Sequence, residues 1–447
     1  MSNIIGLRRE DKNQWERRVP LTPAHVAALT QQRQVNFLVQ PSPIRAFRDE
    51  AYAEAGATVQ EDLTPAQVVL AIKEIPLELL QPGKTYLFFS HTIKGQAHNM
   101  PLLRRLLDLG CQLIDYERVV DEQNRRLIFF GQHAGLAGMI DSLRALGQRL
   151  AWEGIANPLT SICPTYEYAD LPAAQSDLRT IGQHIIEEGL PVELTPLVIG
   201  LAGYGNVSRG AQAILDLLPT RQISPAELLS LSKRDDLDRN VIYKVVFREE
   251  DTVEPMAEGQ PFDLAEFLQH PERYRSKFEQ YLPHLSVLVN CIYWDARCPR
   301  LLTKAAARQL YGGDSLPKLR VIGDLSCDIE GAIEPTLKAT SPDAPTFVWH
   351  PHTDTASDGV AGVGPVIMAV DNLPCELPIE SSTAFGEALL PFIPALATCD
   401  FSADFENCPL PPELKRATLV YHGELTPDYR YLEKFLVSKN SPQMNTD

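Results

Sequence analysis

The stretch that decides the fold is VIGLAGYGNVSRGAQAIL, Val198 to Leu215. It opens as an apolar, strand-like run. Two glycines then crowd a turn at Gly203-Tyr204-Gly205-Asn206-Val207-Ser208, and RGAQAIL continues as a helix. A strand, a tight glycine turn and a helix start let backbone approach a pyrophosphate while the helix dipole favours its charge. Gly203, Tyr204, Gly205, Asn206 and Val207 are therefore candidate dinucleotide-binding residues. The third fingerprint position is Ser208 in place of Gly or Ala, with Gly210 two residues later. A purely structural turn is the competing reading. The next strand along the chain, near Arg221-Gln222-Ile223-Ser224, does not end in the Asp or Glu that would hold a ribose 2′-hydroxyl. That weakens NAD and admits NADP, although Arg221 starts that strand and is not placed to grip a 2′-phosphate.

Upstream, IIGLRRE, VNFLVQPS, VVLAIK, TYLFFSH and CQLIDYE read as strands. LTPAHVAALTQQ, with Thr22 at an N-cap and Pro23 at the first helical position, and GQAHNMPLLRRLLDLG read as helices. Strands alternating with helices predict a parallel sheet covered on both faces. A long helical region, GLAGMIDSLRALGQRLAWEG, separates this from the unit that the glycine turn opens. LSVLVNCIYW and KLRVIGDLSCD are later strands of that unit. PTRQISPAELLSLSKRDDLDRN and EEDTVEPMAEGQPFD are polar and Pro-broken, and read as surface insertions. No internal repeat or low-complexity tract is present.

At 447 residues the chain is expected to form two to three domains. Its net charge of −17 argues against wholesale binding of nucleic acid or an anionic membrane. Cys111, Cys163, Cys291, Cys298, Cys327, Cys375, Cys399 and Cys408 include no CxxC pair, which suits reduced thiols in a cytoplasmic compartment. The start has no apolar signal-peptide core, and no apolar run approaches the ~20 residues of a membrane helix.

Two apolar runs lead into residues that hold or release protons. VVLAI runs into Lys73 and Glu74; YLFFS runs into His91, with Lys94 close behind. A lone strand-end lysine is usually solvated and a lone histidine usually structural. Adjacent strands of one parallel sheet would bring both to one edge, which makes them candidates for proton transfer. Arg8, Arg9, Arg17 and Arg18 end the first strand and suit carboxylate recognition, against a solvated basic loop. Asp324 and Asp328 follow a strand, where open α/β sheets bind ligands, against an Asp capping a helix. HPHTD, His350 to Asp354, looks like a metal cluster, but adjacent loop residues rarely converge on one ion, and a polar loop is favoured.

RREDKNQWERRVPLTPAHV, AIKEIP, FFSHTIKGQ, LIDYERVVDEQNRR, GQHAGLAGMID, GYGNVSRGAQAIL, NCIYWDARCPRLLT and DNLPCELPIESSTAFG together resemble the lysine–2-oxoglutarate reductase (saccharopine dehydrogenase) module of aminoadipic semialdehyde synthases, in the alanine dehydrogenase/transhydrogenase superfamily. The resemblance spans about Ile4 to Leu436. It implies an α/β fold of two Rossmann-like domains with parallel sheets and the active site in the inter-domain cleft. The first would be discontinuous, 1–133 plus 350–447, and carry the substrates; the second, 134–349, would bind the dinucleotide. It implies that L-lysine and 2-oxoglutarate condense and that NADPH reduces the imine to saccharopine. Lys73 and His91 then match the acid–base pair. Arg18, Lys94 and Arg126 match carboxylate-holding positions, and Glu74 and Glu117 match acids near the amines. Asn290, Ile292 and Asp328 match cofactor-contacting positions. NADP(H) is favoured over NAD(H). An NAD-dependent saccharopine dehydrogenase, an alanine dehydrogenase-like amination of another 2-oxo acid and a non-enzymatic nucleotide-binding module are the alternatives. A homo-oligomer and a separate saccharopine-oxidising enzyme stay open as partners.

Overall fold

The computed structural model describes residues 3–33, 35–231, 233–234, 237–313 and 315–436. In chain order the first strands are β1 (Ile4–Leu7), β2 (Asn36–Val39), β3 (Thr58–Val59), β4 (Val68–Leu70), β5 (Thr85–Phe88) and β6 (Gln112–Asp115). The middle of the chain gives β7 (Val198–Ala202), β8 (Thr220–Gln222), β9 (Ile242–Phe247), β10 (Val253–Pro255), β11 (Tyr274–Ser276), β12 (Val287–Asn290), β13 (Val321–Asp324), β14 (Thr346–His350), β15 (Thr355–Asp358) and β16 (Val366–Met368). The C-terminal segment adds β17 (Thr418–Tyr421) and β18 (Glu424–Leu425).

The chain forms two compact units. One holds the described residues up to Phe130 and from Pro378 onward; the other is Gly131–Leu377. The expected boundaries were 133/134 and 349/350. The return to the first unit instead falls at Pro378, because β14, β15 and β16 are all bonded into the second unit's sheet.

Each unit is built on an eight-stranded sheet. The first has the order β18-β17-β6-β5-β4-β1-β2-β3, parallel except for the antiparallel edge strands β17 and β18. The second has the order β15-β14-β16-β13-β12-β7-β9-β8, parallel except for β14 and β15. These are Rossmann-like sheets that each carry an antiparallel edge, a common form of large α/β sheets. Their central strands β4, β5, β7 and β12 are buried along their whole length, which is why VVL, TYLF, VIGLA and VLVN are uninterrupted apolar or small runs.

The structure corrects three local expectations. β4 and β5 end at Leu70 and Phe88, so Lys73 and His91 sit on the loops that follow rather than at the strand tips. The segment 219–240 is no mere insertion: it contributes β8 and a helix that buries Leu228 and Leu231. The following segment forms β10, whose Val253 is buried, and it helps line a cavity described below.

Candidate active site

In the first unit the carboxyl ends of β1, β4, β5 and β6 share one sheet edge. β4 and β5 are parallel neighbours with Leu70 opposite Leu87, so Lys73, three residues past Leu70, and His91, four past Leu87, leave the same edge almost level. His91 has φ 51°, a left-handed conformation that a side chain adopts only under local constraint. One constraint is visible: the Asn99 amide donates to the His91 carbonyl at 2.8 Å.

Glu74 joins the two loops. Its carboxylate meets His91 Nδ1 at 2.6 Å and Lys12 Nζ at 3.0 Å. Burial pushes the Glu74 carboxyl up, but the His91 contact and the other hydrogen bonds outweigh it and bring it down to about 2. Glu74 is therefore a fixed anion. Half-buried Lys73 is depressed below the usual ammonium range, first by burial and then by the charge of Arg18, against the opposing pull of Glu16. Desolvation thus outweighs the neighbouring cation.

Arg18 is 2% exposed and pairs with Glu16 through two bonds, Nε to Oε1 at 2.7 Å and Nη2 to Oε2 at 2.6 Å. Its guanidinium also lies 4.2 Å from the Phe130 ring centre. Its charge thus acts from beneath Lys73, and its fork is engaged by Glu16. The other arginines of the N-terminal motif are also engaged: Arg8 by Asp11, Arg9 by Glu61, and Arg17 by the Ile44 carbonyl. Neither a solvated loop nor a ready carboxylate fork describes them. Lys94 is exposed on the His91 loop. Arg126 is exposed, 3.9 Å from the half-buried Glu117 and 5.9 Å from the Phe89 ring centre.

Two residues that sequence reasoning missed organise this edge. Glu10 is 6% exposed and accepts the backbone N–H groups of Ile72 at 2.6 Å and Lys73 at 3.0 Å. Burial and Glu16 push its carboxyl up to about 7, while those N–H groups and Arg8 pull the other way. Asp115, fully buried at the end of β6, accepts the backbone N–H of Ser90 at 3.2 Å and of Glu117 at 2.8 Å. Burial pushes it up to about 6. Each acid holds the backbone of a loop that carries candidate chemistry. The only signal was position: both are acids at or just past the end of a strand.

In the second unit Gly203 has φ 96°, and its N–H donates to the Phe247 carbonyl at 2.9 Å. A side chain there would be strained and would press on Ile292. Gly205 precedes the helix Asn206–Leu215, with open space where its Cβ would stand. Ser208 is fully buried and its hydroxyl accepts from Gln212, so it belongs to the helix packing. The close-approach role falls to Gly210, whose Cβ would lie 2.0 Å from the Gln132 carbonyl oxygen. Beside the glycine turn is a cavity of about 420 Å³. Gly203, Tyr204, Gly205, Ile292 and Arg248 line it, with Glu249, Thr252 and Val253 from the segment that the sequence assigned to the surface.

Asn290 is 1% exposed; it donates to Asp324 at 2.8 Å and accepts the Ile292 N–H at 3.3 Å. It shapes the loop after β12 from below. Asp324 is fully buried, also accepts from Thr336, and is pushed up to about 6 by burial. It ties β13 to its neighbours, whereas Asp328 is exposed on the following loop. His350 is bonded to Ser357, and Asp354 to Trp349 and Lys304. Among the described residues no helix is long and apolar enough to cross a membrane.

A glycine-turn cavity on one doubly wound sheet and a cluster of titratable side chains on another define a two-unit protein with a nicotinamide-nucleotide-binding fold. Comparison with known proteins carries this to a family. Residues 6–137 match "Alanine dehydrogenase/PNT, N-terminal domain", and residues 250–428 match "Alanine dehydrogenase/PNT, C-terminal domain". The chain belongs to the alanine dehydrogenase/PNT family. It is similar to the alpha-aminoadipic semialdehyde synthase of Arabidopsis thaliana, with 38% identity over 100% of this chain and 42% of that protein. The mitochondrial enzyme of the same name from Mus musculus is 36% identical over 98% of this chain and 48% of its own length. The chain thus spans under half the length of these relatives. The "Saccharopine dehydrogenase [NAD(+), L-lysine-forming]" of Neurospora crassa is 26% identical over 91% of this chain and 93% of that protein. A solved L-alanine dehydrogenase shares the fold with TM-score 0.63, at 19% identity over 97% of this chain and 99% of that one.

Proposed function

We propose that the chain is a lysine–2-oxoglutarate reductase: it condenses L-lysine with 2-oxoglutarate and reduces the imine with NADPH to saccharopine. The first unit handles the substrates and the second the dinucleotide. The observation that carries this is a depressed Lys73 leaving the same sheet edge as the His91–Glu74 pair, with the Glu117–Arg126 pair and Lys94 on neighbouring loops. The likeness to aminoadipic semialdehyde synthases, which runs the length of this chain, supports it.

The chemistry asks for these groups. The two substrates bring three carboxylates and an α-ammonium, so recognition needs fixed cations and at least one anion. Lys94 and Arg126 are exposed cations beside the cluster, and Arg18 contributes its charge from beneath. Glu74 and Glu117 suit the amines. Condensation removes a proton from the attacking ammonium and later gives one to the departing hydroxyl, which leaves as water. Lys73, its pKa lowered by burial, takes and returns protons, and His91 relays with it, held by the Glu74 carboxylate. NADPH, when bound at the glycine turn, supplies the hydride to the imine carbon. Gly203, Gly205 and the helix start after them suit its pyrophosphate.

A second reading, NAD-dependent oxidation of saccharopine, is favoured by the likeness to the Neurospora crassa enzyme. One experiment separates the readings. Nicotinamide absorbance is followed with NADPH or NADH, 2-oxoglutarate, and lysine, ornithine, alanine or ammonia. Lysine-dependent loss of NADPH is the expected result. Turnover with ammonia but not lysine would transfer the function to a different amination.

A further inference from the structure

The strand that follows β7 in sequence is not its neighbour in space. β8 lies at the sheet edge, and β9 lies between it and β7. In a dinucleotide-binding sheet the adenosine ribose rests beyond the carboxyl end of the strand next to the glycine strand. The residues that decide between a 2′-hydroxyl and a 2′-phosphate must therefore come after Phe247, where the sequence reads Arg248-Glu249. The register places them: Ala202 is opposite Phe247, so Arg248 comes level with Gly203.

We propose that Arg248 recognises the 2′-phosphate of NADP(H) in this cavity; the proposal rests on the reading that the cavity takes a nicotinamide dinucleotide. Arg248 is exposed, lines the cavity, and its guanidinium lies 5.2 Å from the ring centre of Tyr204 in the glycine turn. Stacking on an aromatic face orients the fork without consuming its N–H donors. Among the described residues no carboxylate is ion-paired with it. The other two arginines of the cavity are engaged: Arg297 holds Asp295 at 2.9 Å, and Arg300 donates to the Gly331 and Glu330 carbonyls. Glu249, the acid that would otherwise take a ribose 2′-hydroxyl, lies beside the Tyr204 hydroxyl and raises that phenol, above all by its charge. The end of β9 thus offers a phosphate monoester an oriented, uncommitted guanidinium, and directs its acid to the tyrosine.

Nucleotide binding to the full chain tests this without depending on turnover. NADPH and NADH are titrated by nicotinamide fluorescence, and each is competed with 2′,5′-ADP or 5′-ADP. NADPH should bind at least about tenfold tighter than NADH, as one charge-assisted bidentate contact warrants, and 2′,5′-ADP should be the better competitor. Arg248→Ala should remove most of that preference and leave NADH binding within about threefold, which also reports that the variant is folded. Equal binding of the two dinucleotides by the native chain would overturn the 2′-phosphate site while leaving the dinucleotide reading in place. So would an Arg248→Ala variant that weakened both equally. If neither dinucleotide bound, both would fall.

Discussion

Lys73 and His91 are the residues on which the proposed chemistry turns, and each is held by an acid. Lys73→Met and His91→Gln should each lower lysine-dependent kcat by about 100-fold or more, the range of a lost general acid or base, with NADPH affinity unchanged. Steady-state kinetics beside nucleotide titration checks this; native turnover in either variant would end the acid–base assignment. Glu10 offers a subtler test, because among the described residues its carboxylate is hydrogen-bonded to the backbone N–H groups of Ile72 and Lys73 and to no side chain. In Glu10→Gln one oxygen still accepts, but the amide NH2 faces an N–H, at a cost of about 1–3 kcal/mol for the unsatisfied pair. We expect kcat to fall about tenfold as Lys73 shifts, while nucleotide binding holds. An unchanged kcat would show that the loop is fixed by other means. Lys73 and His91 were legible in sequence because each follows an apolar run. Glu10 was not: its partners are 62 and 63 residues away, and nothing local distinguishes it from a solvated loop acid.

At the scale of elements, two helices explain a motif that departs from its pattern. The helices Gly131–Trp152 and Asn206–Leu215 approach so closely that Cβ atoms on Gly135 and Gly210 would meet backbone carbonyls of the opposite helix, at 1.8 and 2.0 Å. Backbone cannot yield as a flexible side chain does. Gly210→Ala must push the helices apart, at a cost of about 1–3 kcal/mol for overpacking, and must displace the helix start beside the glycine turn. The measurable result is a lower melting temperature together with weaker NADPH binding. Lower stability with unchanged binding would separate the packing from the site. The strand–turn–helix unit was readable because its pattern is local. The strand beside the glycine strand was not, since chain order placed β8 next whereas hydrogen bonding places β9 there. The late return at Pro378 was hidden for a related reason: antiparallel edge strands such as β14 and β15 carry no signal of which sheet they join.

For the whole molecule, the buried carboxyls set a pH dependence with a definite sign. Burial raises Glu10 from 4.5 to about 7, and Asp115 and Asp324 from 3.8 to about 6. Asp141 and Glu376, neighbours in the second unit, are both raised by burial too. A carboxyl with a raised folded pKa holds its proton more tightly in the fold than in the unfolded chain. Its contribution to stability is complete below the unfolded value and is lost as pH rises through the folded value. The window is therefore about pH 4 to 7, and each of the first three groups is worth roughly 3 kcal/mol across it. Glu74 runs the other way, but its depressed value moves stability only below its ordinary 4.5, outside the range from 5 to 8. The net charge of −17 adds repulsion in the same direction as the raised groups. The melting temperature should thus be lower at pH 8 than at pH 5, by roughly 5 °C or more at fixed ionic strength. With two units, calorimetry is the suitable measurement, since it can resolve two transitions. Glu10→Gln should flatten the dependence of the first unit and Asp324→Asn that of the second, because an amide at either site has no proton to lose. A melting temperature that held or rose from pH 5 to 8 would mean that these acids are solvated or paired well enough to ionise in the fold.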